Sequence, residues 1–454
     1  MFIGRTEEKK VLHDFFTNNS KKAALIFGKR RVGKTTLIIE ASRDFDGIVI
    51  FFECGKVSLE RNIESFSKAV SSALNISLSS SDFESIFSVL KLLNKKVLVI
   101  IDEFQYLKRK TDDYEAESAF KSVIDNLSTN IKIILNGSSV SVMKDTLSYS
   151  NPLYGRFDTI INLLEFDYYD SSLFSPELSV RDKISFWAIF GGSPYVLSLV
   201  DYSLSLKENI INLILNRNGS IRTYIEYVIS SELGGMNYLN DILDALKSSS
   251  LRYNEIEDKI KISKTGILAR YLDTLLDLDI IEKRTPINKE GDKKKRFYTI
   301  KDNLLKFYFS YIYSLRGLIN TIGEETFYEK NIAQSINTFI SYRFEEAVRQ
   351  YFSRQSRKGN IDLSNIGTYW YDDKIKKTNG EFDCVIENSK NKYSVYEVKF
   401  YSFPMTKESV EEKIDKIKQI EEIDVIKYGV VSSSGFIGSK LDGVDYITGE
   451  DLYN

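Results

Sequence analysis

Eight residues near the amino terminus, Gly28-Lys29-Arg30-Arg31-Val32-Gly33-Lys34-Thr35, constrain this chain more than any other stretch. They fit the spacing GxxxxGK[ST]. An apolar run at 23–27 precedes them and a helical pattern follows from Lys34. Strand, glycine loop and helix in that order let backbone N–H groups curl around phosphate oxygens, and the helix amino terminus adds its positive dipole. Further apolar runs at 48–52, 97–101 and 131–135 alternate with helical stretches at 60–74 and 115–128. That alternation predicts an α/β fold with a parallel sheet.

Residues 28–36, including Thr36, are therefore expected to bind ATP with magnesium. Lys34 is expected to reach the β- and γ-phosphates, and the Thr35 hydroxyl to ligate Mg²⁺. An independent partner is the run 97–101, which ends in Asp102-Glu103. A carboxylate at the end of a buried strand suits the metal's shell, and Glu103 would orient or deprotonate the attacking water. Asn136-Gly137-Ser138-Ser139 follows the next strand; Ser138 there suits either a γ-phosphate contact or a simple turn. Arg156, in Pro152-Leu153-Tyr154-Gly155-Arg156-Phe157, would supply transition-state charge in cis or from a neighbouring copy, or is a surface arginine.

Composition narrows the chemistry. The chain has 454 residues, so several domains are expected, and Lys+Arg 62 against Asp+Glu 64 argues against wholesale coating of nucleic acid. His13 is the single histidine and Cys54 and Cys384 the two cysteines. Histidine-dependent triads and His/Cys metal sites are excluded, leaving carboxylates, lysine, arginine and a hard metal ion. No run approaches a membrane span and no apolar signal core opens the chain, so a cytoplasmic protein without membrane contact is expected.

Together these motifs resemble the archaeal-type ATPases of the STAND branch of AAA+-like P-loop proteins. The resemblance starts at Phe2-Ile3-Gly4-Arg5 and runs through GKRRVGKTTL, IIDEFQYL, NGSSVSVM and PLYGRFD to Phe190-Gly191-Gly192-Ser193-Pro194-Tyr195. It implies a P-loop ATPase core at 1–165, a helical lid at 166–235, a winged helix at 236–302, a helical connector at 303–330, and a nuclease-like domain at 331–454. It also implies that Pro194 lies near the nucleotide. The winged helix would have strands at 280–284 and 297–300, a recognition helix from Lys264 to Leu278, and a basic wing at Lys293-Lys294-Lys295-Arg296. Such a module either contacts DNA or serves as an interdomain spacer.

In the C-terminal part, two strand patterns flank a polar turn at 388–392. Alternation puts Phe382, Cys384 and Ile386 on one side and Asp383 on the other, with Glu397 and Lys399 together on the second strand. With the turn centred near Lys390, Asp383 falls opposite Glu397, so two carboxylates and a lysine converge. That chemistry suits metal-dependent phosphodiester cleavage with Mg²⁺ or Mn²⁺; a solvated hairpin face would carry the same residues. The pattern is similar to the PD-(D/E)xK nucleases, a restriction-endonuclease-like α/β fold. That resemblance adds a helix-borne acid, Glu345 or Glu346, and paired aromatics at Trp370-Tyr371. The expected protein is an ATPase that switches a nuclease-like effector in defence or DNA maintenance, with DNA, a regulatory protein or its own copies as partners. The alternatives are a regulatory ATP-binding switch that binds without cleaving, and a chaperone-like remodeller.

Overall fold

A computed structural model describes residues 2–108, 114–232, 236–262, 266–373 and 378–454. The chain divides into two compact units, 1–165 and 166–454.

In the first unit five strands, β1 (Ala23–Phe27), β2 (Ile48–Glu53), β3 (Val97–Asp102), β4 (Ile131–Gly137) and β5 (Thr159–Asn162), form a parallel sheet in the order β2-β3-β4-β1-β5. Every residue of β1, β3 and β4 is buried, as continuous apolar runs in a sheet covered on both faces require. Leu12, Phe15 and Phe16 of the helix Thr6–Thr17 and Leu37 and Ile38 of the helix Lys34–Ser42 pack on one face. Phe66, Phe83, Phe87 and Phe120 stack in series in a separate aromatic group. Each such side chain removed from water contributes about 1.5–3 kcal/mol, so the sheet's carboxyl edge is a rigid platform. Strand β5 and the helix Phe83–Lys91 add to the elements expected from sequence.

The second unit carries helices, a hairpin of β6 (Ile281–Arg284) and β7 (Phe297–Ile300), and a mixed sheet. The helices Leu239–Ala245, Tyr253–Ile260 and Ile267–Asp277 precede the hairpin. Lys264 lies outside the described residues, as does the Lys293 side chain. The mixed sheet comprises β8 (Asn365–Asp373), β9 (Thr378–Ser389), β10 (Lys392–Lys399), β12 (Val425–Ser432) and β14 (Val444–Thr448), in the order β14-β12-β10-β9-β8. The short strands β11 (Met405–Thr406) and β13 (Phe436–Ile437) pair separately. The long helix Ile336–Arg357 covers one face of the sheet through Phe344, Val348 and Phe352, and the helix Lys407–Lys418 covers the other through Val410, Ile414 and Ile417. One hydrophobic core runs from Tyr168 to Leu452, so the segments expected as lid, winged helix, connector and C-terminal domain share it. Among the described residues no helix is long and apolar enough to cross a membrane.

The strict alternation expected for β9 does not hold. Between the pairs Gly367↔Val385 and Tyr369↔Phe382, three steps of β9 face two of β8. The extra residue is a bulge at 383–384, and it returns Phe382 to the face of Val385 while Cys384 and Ile386 join the opposite core.

Candidate functional site

The glycine loop lies between β1 and the helix Lys34–Ser42, where Gly33 adopts φ 90° at the helix start. A Cβ at Gly28 would come within 2.1 Å of the Leu163 carbonyl oxygen, so only glycine fits beneath that backbone. Arg31 also takes a left-handed φ of 65°, the kind of backbone turn that lets successive N–H groups line an anion-binding hollow. The Lys34 ammonium reaches the carbonyls of Gly28 (3.0 Å) and Lys29 (2.8 Å) within the loop's hollow. Val32 is buried beneath the loop, whereas Thr36 is exposed on the helix. Lys29 pairs with Glu165 at 3.7 Å, and Arg30 donates to Tyr106 Oη at 3.1 Å.

Strand β3 delivers the acidic pair beside this loop. Thr35 Oγ1 donates to Asp102 Oδ2 at 2.8 Å, joining the first helical turn to the strand end. Asn136 Nδ2 donates to the other Asp102 oxygen, and the buried Asn136 Oδ1 has no hydrogen-bond partner. A hydroxyl, a carboxylate and an orphaned amide oxygen form an all-oxygen donor set that fits Mg²⁺. Glu103 follows with φ 53°, an uncommon backbone for a non-glycine residue and one that turns it out of the strand. Its Oε2 accepts from Ser138 Oγ at 2.7 Å and from Gln105 Nε2. Ser138 thus holds Glu103, and Gln105 links the two, donating to Ser138 Oγ at 3.1 Å.

Three residues escaped the sequence reading as site members. Gln105 and Asn136 lay inside quoted motifs, but their roles rest on Ser138 and Asp102, partners far away in sequence. Arg5 lay inside a quoted motif; its guanidinium donates to the carbonyls of Val32 (2.9 Å) and Leu164 (2.7 Å), fastening the amino-terminal segment to the loop.

Arg156 is not part of this arrangement. Its Nε and Nη2 grip both oxygens of Asp125 at 2.9 and 3.1 Å. Two residues on, Asp158 accepts from the N–H groups of Lys22 and Ala23, where β1 begins. The glycine loop leaves β1 at its other end, a strand length away, so a role for Arg156 in cis is corrected. Pro194 belongs to the second unit, opening the short helix Pro194–Leu197. Before it, the Gly192 carbonyl accepts from Phe166 N at 2.9 Å, and a Cβ at Gly192 would meet the Phe166 oxygen at 1.9 Å.

The second acidic group lies on β9, β10 and the long helix. The pairs Val395↔Val385 and Tyr396↔Cys384 bring Glu397 to the level of Asp383, as the turn position implied. Lys399 Nζ lies 2.8 Å from Glu397 and 3.5 Å from Asp383, between the carboxylates. Burial opposes the charge on Lys399, but Glu397 and Asp383 outweigh it and raise its pKa. Burial and the nearby Glu397 push the Asp383 carboxyl up. Burial, then the charge of Asp383, pushes Glu345 up to about 8. The adjacent Glu346 behaves oppositely: burial works against its charge, but Arg349 and Arg284 hold it down to about 2. Among the described residues no three acidic, histidine or cysteine side chains already converge as a metal-holding group. The Asp383 and Glu345 carboxyls, lifted by burial and by neighbouring negative charge, would each be relieved by a cation beside them. Trp370 packs against Phe297 with ring centroids 5.1 Å apart.

Comparison with known proteins bears on both parts of the chain. Residues 2–200 match the family of ATPase domains predominantly from Archaea. The chain carries an ATPase domain. Residues 308–416 match a second family, Archaea bacterial proteins of unknown function. An uncharacterized protein of Methanocaldococcus jannaschii is 26% identical over 407 residues, covering 88% of each chain. The solved Walker-type ATPase of Pyrococcus abyssi superposes with a TM-score of 0.50 at 21% identity, over 68% of this chain and 96% of its own. That likeness supports the α/β fold with its parallel central sheet.

Proposed function

We propose that the chain is a magnesium-dependent ATP hydrolase whose nucleotide state governs the carboxylate site of its C-terminal sheet. The observation that carries the first half is the 2.8 Å bond from Thr35 to Asp102. It ties the phosphate loop to an acidic strand end in the arrangement that Mg-ATP hydrolysis uses. Magnesium, when bound, neutralises charge on the β- and γ-phosphates. Lys34 reaches the same phosphates, Thr35 and Asp102 hold the ion, and Glu103 orients water once Ser138 and Gln105 release it.

For the second half, Asp383 and Glu397 hold Mg²⁺ or Mn²⁺, Glu345 completes the set, and Lys399 stabilises charge on a phosphodiester. This is the chemistry of the PD-(D/E)xK nucleases, and the helix–hairpin segment at 239–300 has winged-helix order. A second reading, that the C-terminal domain binds nucleic acid or protein without cleaving, is favoured by Lys399 occupying the space between the carboxylates. The test is cleavage of plasmid and single-stranded DNA by wild type, Asp383→Ala and Lys34→Ala, with Mg²⁺ or Mn²⁺, with and without ATP. Cleavage lost in Asp383→Ala, and made ATP-independent or lost in Lys34→Ala, supports a switched nuclease. Absence of cleavage under every condition leaves the binding reading in its place.

A further inference from the structure

The hairpin of β6 and β7 is fastened to the C-terminal sheet through its connecting loop and to the long helix Ile336–Arg357 through both strands. At its connecting loop, Ile287 is buried in the same core as Tyr369, Tyr371, Phe382 and Val385. Asn288 behaves like one more residue of the sheet: its Nδ2 donates to the Trp370 carbonyl at 2.7 Å, and its Oδ1 accepts from Trp370 N at 3.2 Å. Edge strand β8 thus has a backbone donor and acceptor satisfied by a side chain. Asn365 donates to Glu290 at 2.6 Å, and the Lys295 ammonium sits 5.1 Å over the Trp370 ring.

Where β6 enters that loop, opposite Phe297, Arg284 donates through Nη2 to Glu346 Oε2 at 3.2 Å. The same oxygen accepts from Arg349 Nε at 3.2 Å and Nη2 at 2.9 Å. Arg349 Nη1 then donates to the backbone carbonyl of Asp383 at 2.7 Å, at the bulge. Arg343, on the same helix, donates to the carbonyl of Ile300 at 3.4 Å and so holds β7 as well. An unbroken line of charge-assisted bonds connects the hairpin to the strand that presents Asp383. Removing one member of such a partly buried network leaves its neighbours uncompensated and free to move.

We infer that the hairpin at 281–300 is a clamp on the C-terminal sheet, and that Arg284 is a positioning residue that sets the Asp383 bulge through Glu346 and Arg349. The proposal deepens the reading of Asp383 and Glu397 as a cation-holding pair and rests on it. The hairpin is then part of the carboxylate site's support, and its loop is engaged within the molecule.

The experiment uses the full chain in three forms: wild type, Arg284→Gln and Arg284→Lys. Amide hydrogen exchange over 380–386 reports the bulge, Mn²⁺ titration reports the cation site, and ATP turnover confirms that each variant is folded. Arg284→Gln is expected to speed exchange at the bulge about tenfold and weaken Mn²⁺ about tenfold, while Arg284→Lys, which keeps the charge against Glu346, restores both. Asn288→Ala tests the loop's hold on the sheet through faster exchange in β8, and covers the case in which Arg284→Gln does not fold. Unchanged exchange in both Arg284→Gln and Asn288→Ala overturns the clamp. Faster exchange with unchanged Mn²⁺ affinity overturns the positioning role. Wild type binding Mn²⁺ no better than Asp383→Ala overturns the cation reading, and with it the positioning role, while exchange still decides the clamp.

Discussion

The two acidic groups of this protein solve opposite problems. Around Asp102, one carboxylate is held by neutral donors, the Thr35 hydroxyl and the Asn136 amide, and the nearby lysine is folded back onto loop carbonyls. Around Asp383, a lysine sits between two carboxylates, and Glu345 feels the charge of Asp383. The first group needs only to exchange weak neutral contacts for a cation and phosphates. The second is already partly compensated from within, so an incoming cation must displace an ammonium and gains by relieving repulsion. A phosphate loop is therefore ready for its ligand by backbone shape, whereas the carboxylate group depends on the charges beside it.

Perturbing each side separately sharpens that contrast. The largest effect is expected from Glu103→Gln, which should cut ATP turnover by about 10²- to 10³-fold while leaving nucleotide binding and Mn²⁺ binding at Asp383 intact; retained turnover would break the assignment of water orientation. Next comes Asp383→Asn, expected to weaken Mn²⁺ by about 10- to 100-fold with ATP turnover unchanged, which isothermal titration and phosphate release would show.

The third effect is a pH dependence. Glu345 is raised from 4.5 to about 8 in the folded protein, so the folded state holds its proton more tightly than the unfolded chain does. The stability this gives is complete below pH 4.5 and is lost as pH rises to about 8. Melting temperatures of wild type should fall relative to Glu345→Gln across that range, and Mg²⁺ should restore more of the loss at the alkaline end. Parallel melting curves would break the idea that repulsion organises this group. The smallest effect is expected from Arg156→Ala: loss of a surface pair with Asp125 should cost less than about 1 kcal/mol and leave the basal turnover of dilute protein unchanged. A large loss in dilute protein would return Arg156 to the phosphate site.

How much of this could be read beforehand differs between the two groups for a physical reason. Gly28, Lys34, Thr35 and Asp102 are constrained by local backbone geometry, which a linear motif records directly. Gln105 and Asn136 matter through bonds to Ser138 and Asp102, far away in sequence, which no spacing records. Glu103 was legible as a carboxylate, but not its left-handed backbone. In the second unit, Asp383, Glu397 and Lys399 were brought together as their spacing implied, through a one-residue register shift between Lys392 and Tyr393 just after the turn. The bulge at 383–384 was invisible, since alternation carries no sign of an added residue. Strands β8, β12 and β14 were also missed: segments such as Val425–Ser432 expose Ile426 beside Lys427 before a fully buried end and give no clean period. Arg156 shows the converse for a role in cis, where a motif residue sits at the far end of the sheet from the glycine loop.

The side-chain pairing of Asn288 with Trp370 has a consequence for how this molecule can be divided or exchanged. A chain begun after the hairpin would uncover the border of the C-terminal sheet and the recess filled by Ile287. Bare borders of that kind recruit other chains. The segment shortened to its C-terminal sheet is therefore expected to self-associate when made alone, and in swaps between relatives the hairpin and the sheet should travel as one cassette.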